Sequence, residues 1–594
     1  MAPAVNDFSL QVATANGSGS QSSNSVLLRT LFQMGIPVSG KNLFPSNIAG
    51  LPTWYTIRAS RDGWVARKKE LDLLVAMNGE TAAEDVAGLR PGTPVVFDAA
   101  LGLEGARADL AWYPVPFDEL VAPVSPEAKL RKLLRNMVYV GTLARLLELE
   151  LPEVEAAIGR VFEGKAKAAA LNVAAARAGF DHAATFTRPL GFSARRMDAT
   201  AGKIIVDGNA AAAHGAVFGG VTVLAWYPIT PSSSLAETLI ASLEAHRRAP
   251  DGTPTYAVVQ AEDELAAIGM VIGAGWAGAR AMTSTSGPGV SLMSEFAGLG
   301  YYAEIPAVIW DVQRVGPSTG LPTRTQQGDV LSTAFLSHGD TRHPLLLPGS
   351  VEECFTFGHQ AFDLAERLQT PVFVLSDLDL GMNQWMAEPF SYPAAPMDRG
   401  KVLGREDLER LGGFARYRDV DGDGIGWRTL PGTDHPRAAY FTRGTGHDES
   451  AGYSEKGDVY ERNLARLSRK LDGARTLLPG PVATGGGADV GVIAFGSSDP
   501  AVRESRAQLE AERRLGVDYL RVRAWPFAPA VHEFVASHRH TYVVEQNRDG
   551  QLAALLRLDL DPSLAGRLRP LPRTDGLPLD ARTVTDAILA HEEA

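Results

Sequence analysis

A single cysteine, Cys354, is all that the 594 residues contain. One thiol excludes an intrachain disulfide, a Cys-x-x-Cys zinc site and a cysteine-ligated iron–sulfur cluster, so any electron-transfer cluster used with this chain must lie in another. Long apolar runs are missing as well. No stretch reaches the roughly eighteen residues of a membrane span, and the opening Met-Ala-Pro-Ala-Val-Asn-Asp lacks the basic-then-apolar pattern of a signal peptide. A cytoplasmic protein is expected. There is no basic excess: 57 Lys and Arg against 69 Asp and Glu leave a net charge of -12, which argues against nucleic acid as the main partner. What remains is an ordinary globular composition, 45% apolar and 21% charged, in a chain too long for one hydrophobic core. Three to five domains are expected, without internal repeats or low-complexity tracts.

The segment 1–195 opens with a strand-like run, Phe8 to Ala13, then the small-residue loop Asn16-Gly17-Ser18-Gly19-Ser20-Gln21-Ser22, then a helical pattern over 25–34. Such a loop either turns the chain or presents amides and a helix dipole to a phosphate. An alanine-rich helical pattern covers 154–178. From 196 to 395 strand patterns at 221–226, 256–259, 307–312 and 372–375 alternate with helical ones at 233–247, 264–279, 290–302 and 351–367. Alternation of this kind predicts a parallel sheet covered by helices, with its site at the carboxyl ends of the strands. Residues 396–480, rich in Gly, Asp and Arg, read as an extended connector. A second, smaller α/β unit follows over 481–594, with strands starting at Val490 and at 518–522 and 540–545 around a helix at 499–514.

Three places carry chemistry-bearing residues. The strand ending at Trp226 runs into Tyr227-Pro228-Ile229-Thr230-Pro231-Ser232-Ser233, where Thr230 is expected to cap the next helix, leaving its hydroxyl and nearby amides at a strand tip. After the following strand comes the acidic cluster Glu262, Asp263, Glu264, any of which suits a helix start. Arg314 follows a strand and precedes the glycine-rich turn Gly316-Pro317-Ser318-Thr319-Gly320-Leu321-Pro322-Thr323; it fits a bidentate hold on a carboxylate or an ordinary surface position. Two further signals fail on spacing. Asp419, Asp421, Asp423 and Gly424 begin like a calcium loop, but Leu430 stands where a bidentate Glu is required. Gly422-Asp423-Gly424 imitates a magnesium–diphosphate motif but lacks its Asn.

In order along the chain, Tyr227 to Ser233, Gln260-Ala261-Glu262-Asp263-Glu264, Thr283-Ser284-Thr285-Ser286-Gly287-Pro288-Gly289, Asp311 to Thr323, and Val543-Val544-Glu545-Gln546-Asn547 with Gly550-Gln551-Leu552-Ala553 resemble the 2-oxoacid:ferredoxin oxidoreductase family. The resemblance covers nearly the whole chain and is nearest to the alpha subunit of the 2-oxoglutarate type in its fused gamma–alpha form. It implies a multidomain α/β fold of doubly wound parallel sheets: a gamma-like domain over 1–195, a pyrimidine-type thiamine diphosphate-binding domain over 196–395, the connector, and a transketolase C-terminal-like domain over 481–594. Ser20 and Ser22 depart from the usual glycines of the gamma start.

By the same resemblance, Glu264 supports the imino tautomer of the aminopyrimidine, Pro228 and Ile229 contact thiamine diphosphate, and Thr230 with Arg314 binds the 2-oxoacid carboxylate. Gly316, Pro317, Ser318, Thr319, Gly320 and Thr323 fall to coenzyme A, a turn that pyruvate-specialised relatives generally lack. The implied reaction is oxidative decarboxylation of 2-oxoglutarate with coenzyme A to succinyl-CoA, carbon dioxide and reduced ferredoxin, and its reverse. No metal site is expected in this chain. A smaller beta subunit is expected to bring the Mg2+–diphosphate half of the cofactor site and a [4Fe-4S] cluster, in a dimer of alpha–beta heterodimers that docks ferredoxin. Open alternatives are a pyruvate or branched-chain 2-oxoacid enzyme and a non-catalytic assembly subunit.

Overall fold

The computed structural model describes residues 4–44 and 50–593, so the first three residues of the start weighed against a signal peptide lie outside it. The chain divides into two compact units, one of residues 1–206 with 383–389 and 580–583, the other of 207–382, 390–579 and 584–594. Among the described residues no helix is long and apolar enough to cross a membrane.

The first unit is built on a six-stranded sheet. The strands Asp7–Ala15, Leu73–Ala76, Pro94–Asp98 and Ala111–Val115 run parallel, and Pro52–Ser60 and Val38–Leu43 continue the other edge antiparallel. The glycine loop leads into the helix Ser20–Gln33, longer at its start than the apolar periodicity suggests because Ser20, Ser23 and Asn24 are buried there. Asn136, from the helix Ala128–Leu146, donates to the Ser18 carbonyl at 2.6 Å, and Tyr139 of the same helix donates to Asn24 Oδ1 at 2.7 Å. The loop is thus packed against a neighbouring helix. The pattern over 154–178 is two helices, Leu151–Val161 and Ala166–Ala183, separated by a turn with Gly164 at φ 75°.

The second unit carries a seven-stranded sheet in the order Ala257–Gln260, Val223–Trp226, Ala281–Thr285, Ala307–Gln313, Pro371–Asp377, Leu345–Leu346, Ala524–Trp525, parallel except for the last strand. Ala307–Gln313 is buried along its whole length, the pattern of a central parallel strand covered on both faces. Its run is apolar except for Asp311 and Gln313. The helices Ser233–His246, Glu264–Trp276 and Val351–Leu368 match the sequence periodicity closely; Ser350 caps the last by accepting from Glu353 N. The pattern over 290–302 breaks at Met293 into Gly287–Leu292 and Ser294–Tyr302. Among the elements with no counterpart in the sequence reading are the helix Gly208–Phe218 and the strand Ala281–Thr285.

The segment 396–480 contains an 18-residue helix, Gly457–Ala474, whose inward face carries Arg466 and Lys470 beside Leu467 and Leu471. Both cations meet the buried Glu304: Lys470 Nζ at 2.8 Å and Arg466 Nη1 at 3.1 Å from Oε2. In the acidic turn before it, Lys401 Nζ lies 2.6 Å from Asp421 and 2.8 Å from Asp423, so both acids are held by a cation. A five-stranded sheet, Val482–Thr484, Asp518–Arg521, Val490–Ala494, His540–Glu545 and Leu568–Pro572 in that order, completes the unit.

Candidate active site

Three strand ends of the seven-stranded sheet bring the sequence-selected residues into one region. After Val223–Trp226 the chain turns sharply: Ser232 N and Ser233 N both donate to the Ile229 carbonyl, at 2.9 and 3.1 Å, and Asn209 Nδ2 donates to the Pro231 carbonyl at 2.9 Å. The expectation that Thr230 caps the helix is not met. The helix starts at Ser233 with Ser232 at its N-cap, because the turn around Ile229 consumes Thr230 and Pro231 first. Thr230 instead offers its carbonyl oxygen to Arg314 Nη1 at 2.6 Å. Tyr227 and Pro228 are exposed, and Ile229 and Thr230 half-buried.

The acidic cluster after Ala257–Gln260 separates into three environments. Glu262 is exposed, Asp263 caps the helix by accepting from Ala266 N at 2.7 Å, and Glu264, the first helical residue, is buried. The turn from Ala281–Thr285 into Gly287–Leu292 passes directly over Glu264. A Cβ at position 289 would stand 2.7 Å from Glu264 Cγ and 2.0 Å from Thr285 Oγ1, so only glycine allows this approach. Ser286, at the N-cap of that short helix, is fully buried, and its hydroxyl neither caps the helix nor finds another partner. A buried carboxyl under a turn that also holds an unmatched buried hydroxyl offers polar groups of the kind a heteroaromatic ring requires.

Arg314 leaves Ala307–Gln313 buried, and its Nε has no partner. Burial lowers its pKa, while the nearby Asp329 and Glu264 work in the opposite direction. With one Nη on a carbonyl and the rest of the fork unengaged, the guanidinium retains donors for a carboxylate. The turn that follows is exposed from Gly316 to Pro322 and is closed at its base by Val315 N to Arg324 O (3.1 Å), Leu321 N to Val315 O (3.1 Å) and Gly316 N to Gln326 Oε1 (2.7 Å). Ser318 at φ 58° and Gly320 at φ 49° make its reversal, and Thr323 is buried.

The Val543–Asn547 and Gly550–Ala553 motif is explained by docking. Glu545 accepts from Leu552 N, Ala553 N and Asn547 Nδ2, while Gln546 N donates to Gln327 Oε1, Asn547 Nδ2 to the Gln327 carbonyl and Gln551 Nε2 to the Gly328 carbonyl. These bonds fasten the segment 327–331 that begins just beyond the exposed turn. Sequence reasoning gave no role to Asp329 in that segment, or to Asp311, although an acid inside the apolar run Ala307-Val308-Ile309-Trp310-Asp311-Val312 is itself a signal.

Two family profiles match. Residues 214–389 match "Pyruvate flavodoxin/ferredoxin oxidoreductase, thiamine diP-bdg" and residues 9–182 match "Pyruvate ferredoxin/flavodoxin oxidoreductase". The chain is 31% identical over 619 residues to 2-oxoacid:ferredoxin oxidoreductase 2, subunit alpha, of Aeropyrum pernix, with 93% of each chain covered. It is 34% identical to 2-oxoglutarate synthase subunit KorA of Methanothermobacter marburgensis, over 61% of this chain and 95% of that one. Among solved structures, the 2-oxoglutarate:ferredoxin oxidoreductase of Magnetococcus marinus, with 2-oxoglutarate, coenzyme A and succinyl-CoA bound, superposes with a TM-score of 0.88 at 28% identity, covering 98% of this chain and 99% of that one. Identity at this level across nearly the full length of both chains, with a thiamine diphosphate-binding profile lying over the strand tips that hold Thr230, Glu264 and Arg314, places this chain in the 2-oxoacid:ferredoxin oxidoreductase family as an alpha, or large, subunit.

Proposed function

We propose that the chain is the large subunit of a thiamine-dependent 2-oxoglutarate:ferredoxin oxidoreductase, which converts 2-oxoglutarate, coenzyme A and oxidised ferredoxin to succinyl-CoA, carbon dioxide and reduced ferredoxin, and runs in reverse. The observation that carries the reading is the pairing of Arg314 with the Thr230 turn beside the buried Glu264. Similarity to a structure that holds 2-oxoglutarate, coenzyme A and succinyl-CoA supports this choice of substrate.

Thiamine diphosphate, when bound, supplies the electron sink for cleaving the bond between the 2-oxoacid's carboxylate and carbonyl carbons. The residues of this chain prepare that step. Glu264 presents a carboxyl to the aminopyrimidine, with Ser286 Oγ as a further polar contact and Pro228 and Ile229 shaping the approach. Arg314 grips the substrate carboxylate through its unengaged donors, and the Thr230 hydroxyl adds a weaker bond. Loss of that carboxylate as carbon dioxide leaves the electron pair of the broken bond on the remaining carbon, and a [4Fe-4S] cluster in the partner would take up two electrons one at a time and supply them to ferredoxin. The exposed turn from Gly316 to Gly320, with Thr323 at its base, receives coenzyme A.

The diphosphate and its Mg2+ belong to a smaller beta subunit in this reading. Asp423, the acid of the one Gly-Asp-Gly, is bonded to Lys401, which supports this reading. Two alpha–beta pairs would then form the enzyme. Assay of the co-purified complex against a panel of 2-oxoacids, following acyl-CoA formation, tests the assignment. Preference for pyruvate or a branched-chain 2-oxoacid would move the chain to another branch of the family, and no acyl-CoA from any would overturn its catalytic role.

A further inference from the structure

Behind Arg314 lie two carboxyl groups that the reading above does not use. Asp311 points from the centre of Ala307–Gln313 into the interior, is wholly buried, and neither of its oxygens meets an N–H or hydroxyl donor. Asp329 occupies the N-cap position of the short helix Val330–Ala334, yet its side chain does not cap it. Its backbone N–H is held by Gln313 Oε1 at 3.0 Å, which turns the carboxyl back toward Asp311, within hydrogen-bonding reach, while Oδ2 has no other partner. On the far side the chain passes at Gly287, where a Cβ would stand 2.7 Å from both Asp329 oxygens, so no side chain separates the pair from the turn over Glu264. Segment 327–331 is fastened by Gln546, Asn547 and Gln551, which fixes Asp329 in place.

Two carboxyls that face each other in a dry site require a proton between them, because like charges at this range cannot both ionise. Burial and its partner push Asp311 well above the usual carboxylate range, and burial pushes Asp329 up to about 7 against the pull of Arg314. Few other charges face the pair. Arg314 stands beside it and Glu264 lies across Arg314; the strand 281–285 and the helices 287–292 and 330–334 contribute none. Asp377, aligned with Gln313 on the next strand, is taken up by Thr325, Leu380 N and Ser497 N.

We propose that Asp311 and Asp329 form a proton-sharing carboxyl pair that positions Arg314 and couples uptake of one proton to the binding of the 2-oxoacid carboxylate. The inference rests on the assignment of Arg314 to that carboxylate. With one shared proton the pair holds a single negative charge behind the guanidinium. Loss of the proton adds a second, which draws Arg314 inward and repels the incoming carboxylate. By linkage, the carboxylate in turn raises the pair's proton affinity, and the proton comes from solvent.

The test uses the assembled complex with 2-oxoglutarate as probe. Calorimetric binding in buffers of different ionisation enthalpy should show proton uptake near neutral pH, and the apparent KM should rise about fivefold or more between about pH 6 and about pH 8.5 with a smaller change in kcat. Asp311→Asn, which donates a hydrogen bond to an ionised Asp329 permanently, should abolish both the uptake and the pH limb; Asp329→Asn should abolish them and raise KM. No proton uptake by the wild-type complex, or an unchanged pH limb in Asp311→Asn, overturns the proposal. Arg314→Ala separates the two readings. If that variant raises KM while the aspartate variants keep the wild-type limb, the pair alone is wrong; if it leaves KM unchanged, the carboxylate assignment itself falls.

Discussion

Arg314 Nη1 donates to the carbonyl oxygen of Thr230 at 2.6 Å, and this bond ties together the ends of two strands, 223–226 and 307–313, that are not neighbours in the sheet. The strand between them, 281–285, delivers Ser286 and the turn over Glu264 into the same space. The hydrogen bond that holds the guanidinium thus goes to backbone rather than to an acid, and its remaining donors are open to an anionic ligand.

From that arrangement, Arg314→Ala should raise the apparent KM for the 2-oxoacid and lower kcat/KM by about 30- to 150-fold, the range of a charge-assisted hydrogen bond of about 2–3 kcal/mol. Thr230→Ala should shift both in the same direction but less. Steady-state kinetics with separate variation of 2-oxoacid and coenzyme A checks this. Normal 2-oxoacid binding with weakened coenzyme A binding would reverse the division of roles.

Glu264→Gln should leave the fold and cofactor content intact and lower turnover by about 10²- to 10⁴-fold, because an amide cannot exchange a proton as the carboxyl does. Turnover is read against the measured thiamine diphosphate content of each preparation. A near-normal rate with cofactor bound would remove Glu264 from the chemistry.

Much of this geometry was legible in the sequence where burial and periodicity agree. Ala307–Gln313 is an apolar run that became a central strand, and Val351–Leu368 has the 3.6-residue period of a helix with one face inward. The strand 281–285, Ala-Met-Thr-Ser-Thr, was not legible, since small polar side chains buried at a sheet centre carry no alternation. The helix 457–474 hid for the opposite reason: its buried face is partly Arg466 and Lys470, and charges that pair with an acid more than 160 residues away look like a solvated face until the fold is known. Thr230-Pro231 carried the composition of a helix cap, but the hydrogen bonds around Ile229 delayed the helix to Ser233. Within the acidic cluster, spacing alone could not distinguish Glu262, Asp263 and Glu264; exposure, capping and burial do.

The buried Glu304 should control acid stability. Burial alone would raise its carboxyl, but Lys470, Arg466 and Arg416 outweigh it and hold the group well below the usual carboxylate range. A depressed pKa contributes stability that is present above the unfolded value of about 4 and is lost as pH falls below it. Denaturant titrations at a series of acidic pH values should therefore show a steep acid limb in the wild type and a flatter one in Glu304→Gln. At neutral pH that substitution should cost about 3–5 kcal/mol, since it strands two buried cations. Equal acid limbs in both proteins would contradict the assignment.

The surface next to Glu264 makes the most direct statement about assembly. Ala257–Gln260 is the edge strand of the seven-stranded sheet, and Ala257, Val259 and Gln260 on it are exposed. The helix that starts at Glu264 leaves Leu265 45% and Met270 44% exposed, and Leu292, at the end of the helix above Glu264, is 50% exposed. Large apolar side chains on consecutive elements around a site are the mark of an interface rather than of a surface that stays in water. In the proposed function this face meets the beta subunit that carries the diphosphate half of the cofactor site, so the two halves close over thiamine diphosphate together. Leu265→Asp with Met270→Asp should abolish co-purification of the two subunits and all acyl-CoA formation. Exposed substitutions of this kind change folding stability by only about 0.5 kcal/mol, so the variant chain should remain folded by circular dichroism. Leu558→Asp, at a position 70% exposed on the helix Gln551–Asp559, serves as the control and should leave assembly and activity unchanged. A stoichiometric, active complex formed by the Leu265/Met270 double variant would place the partner on another face of the subunit.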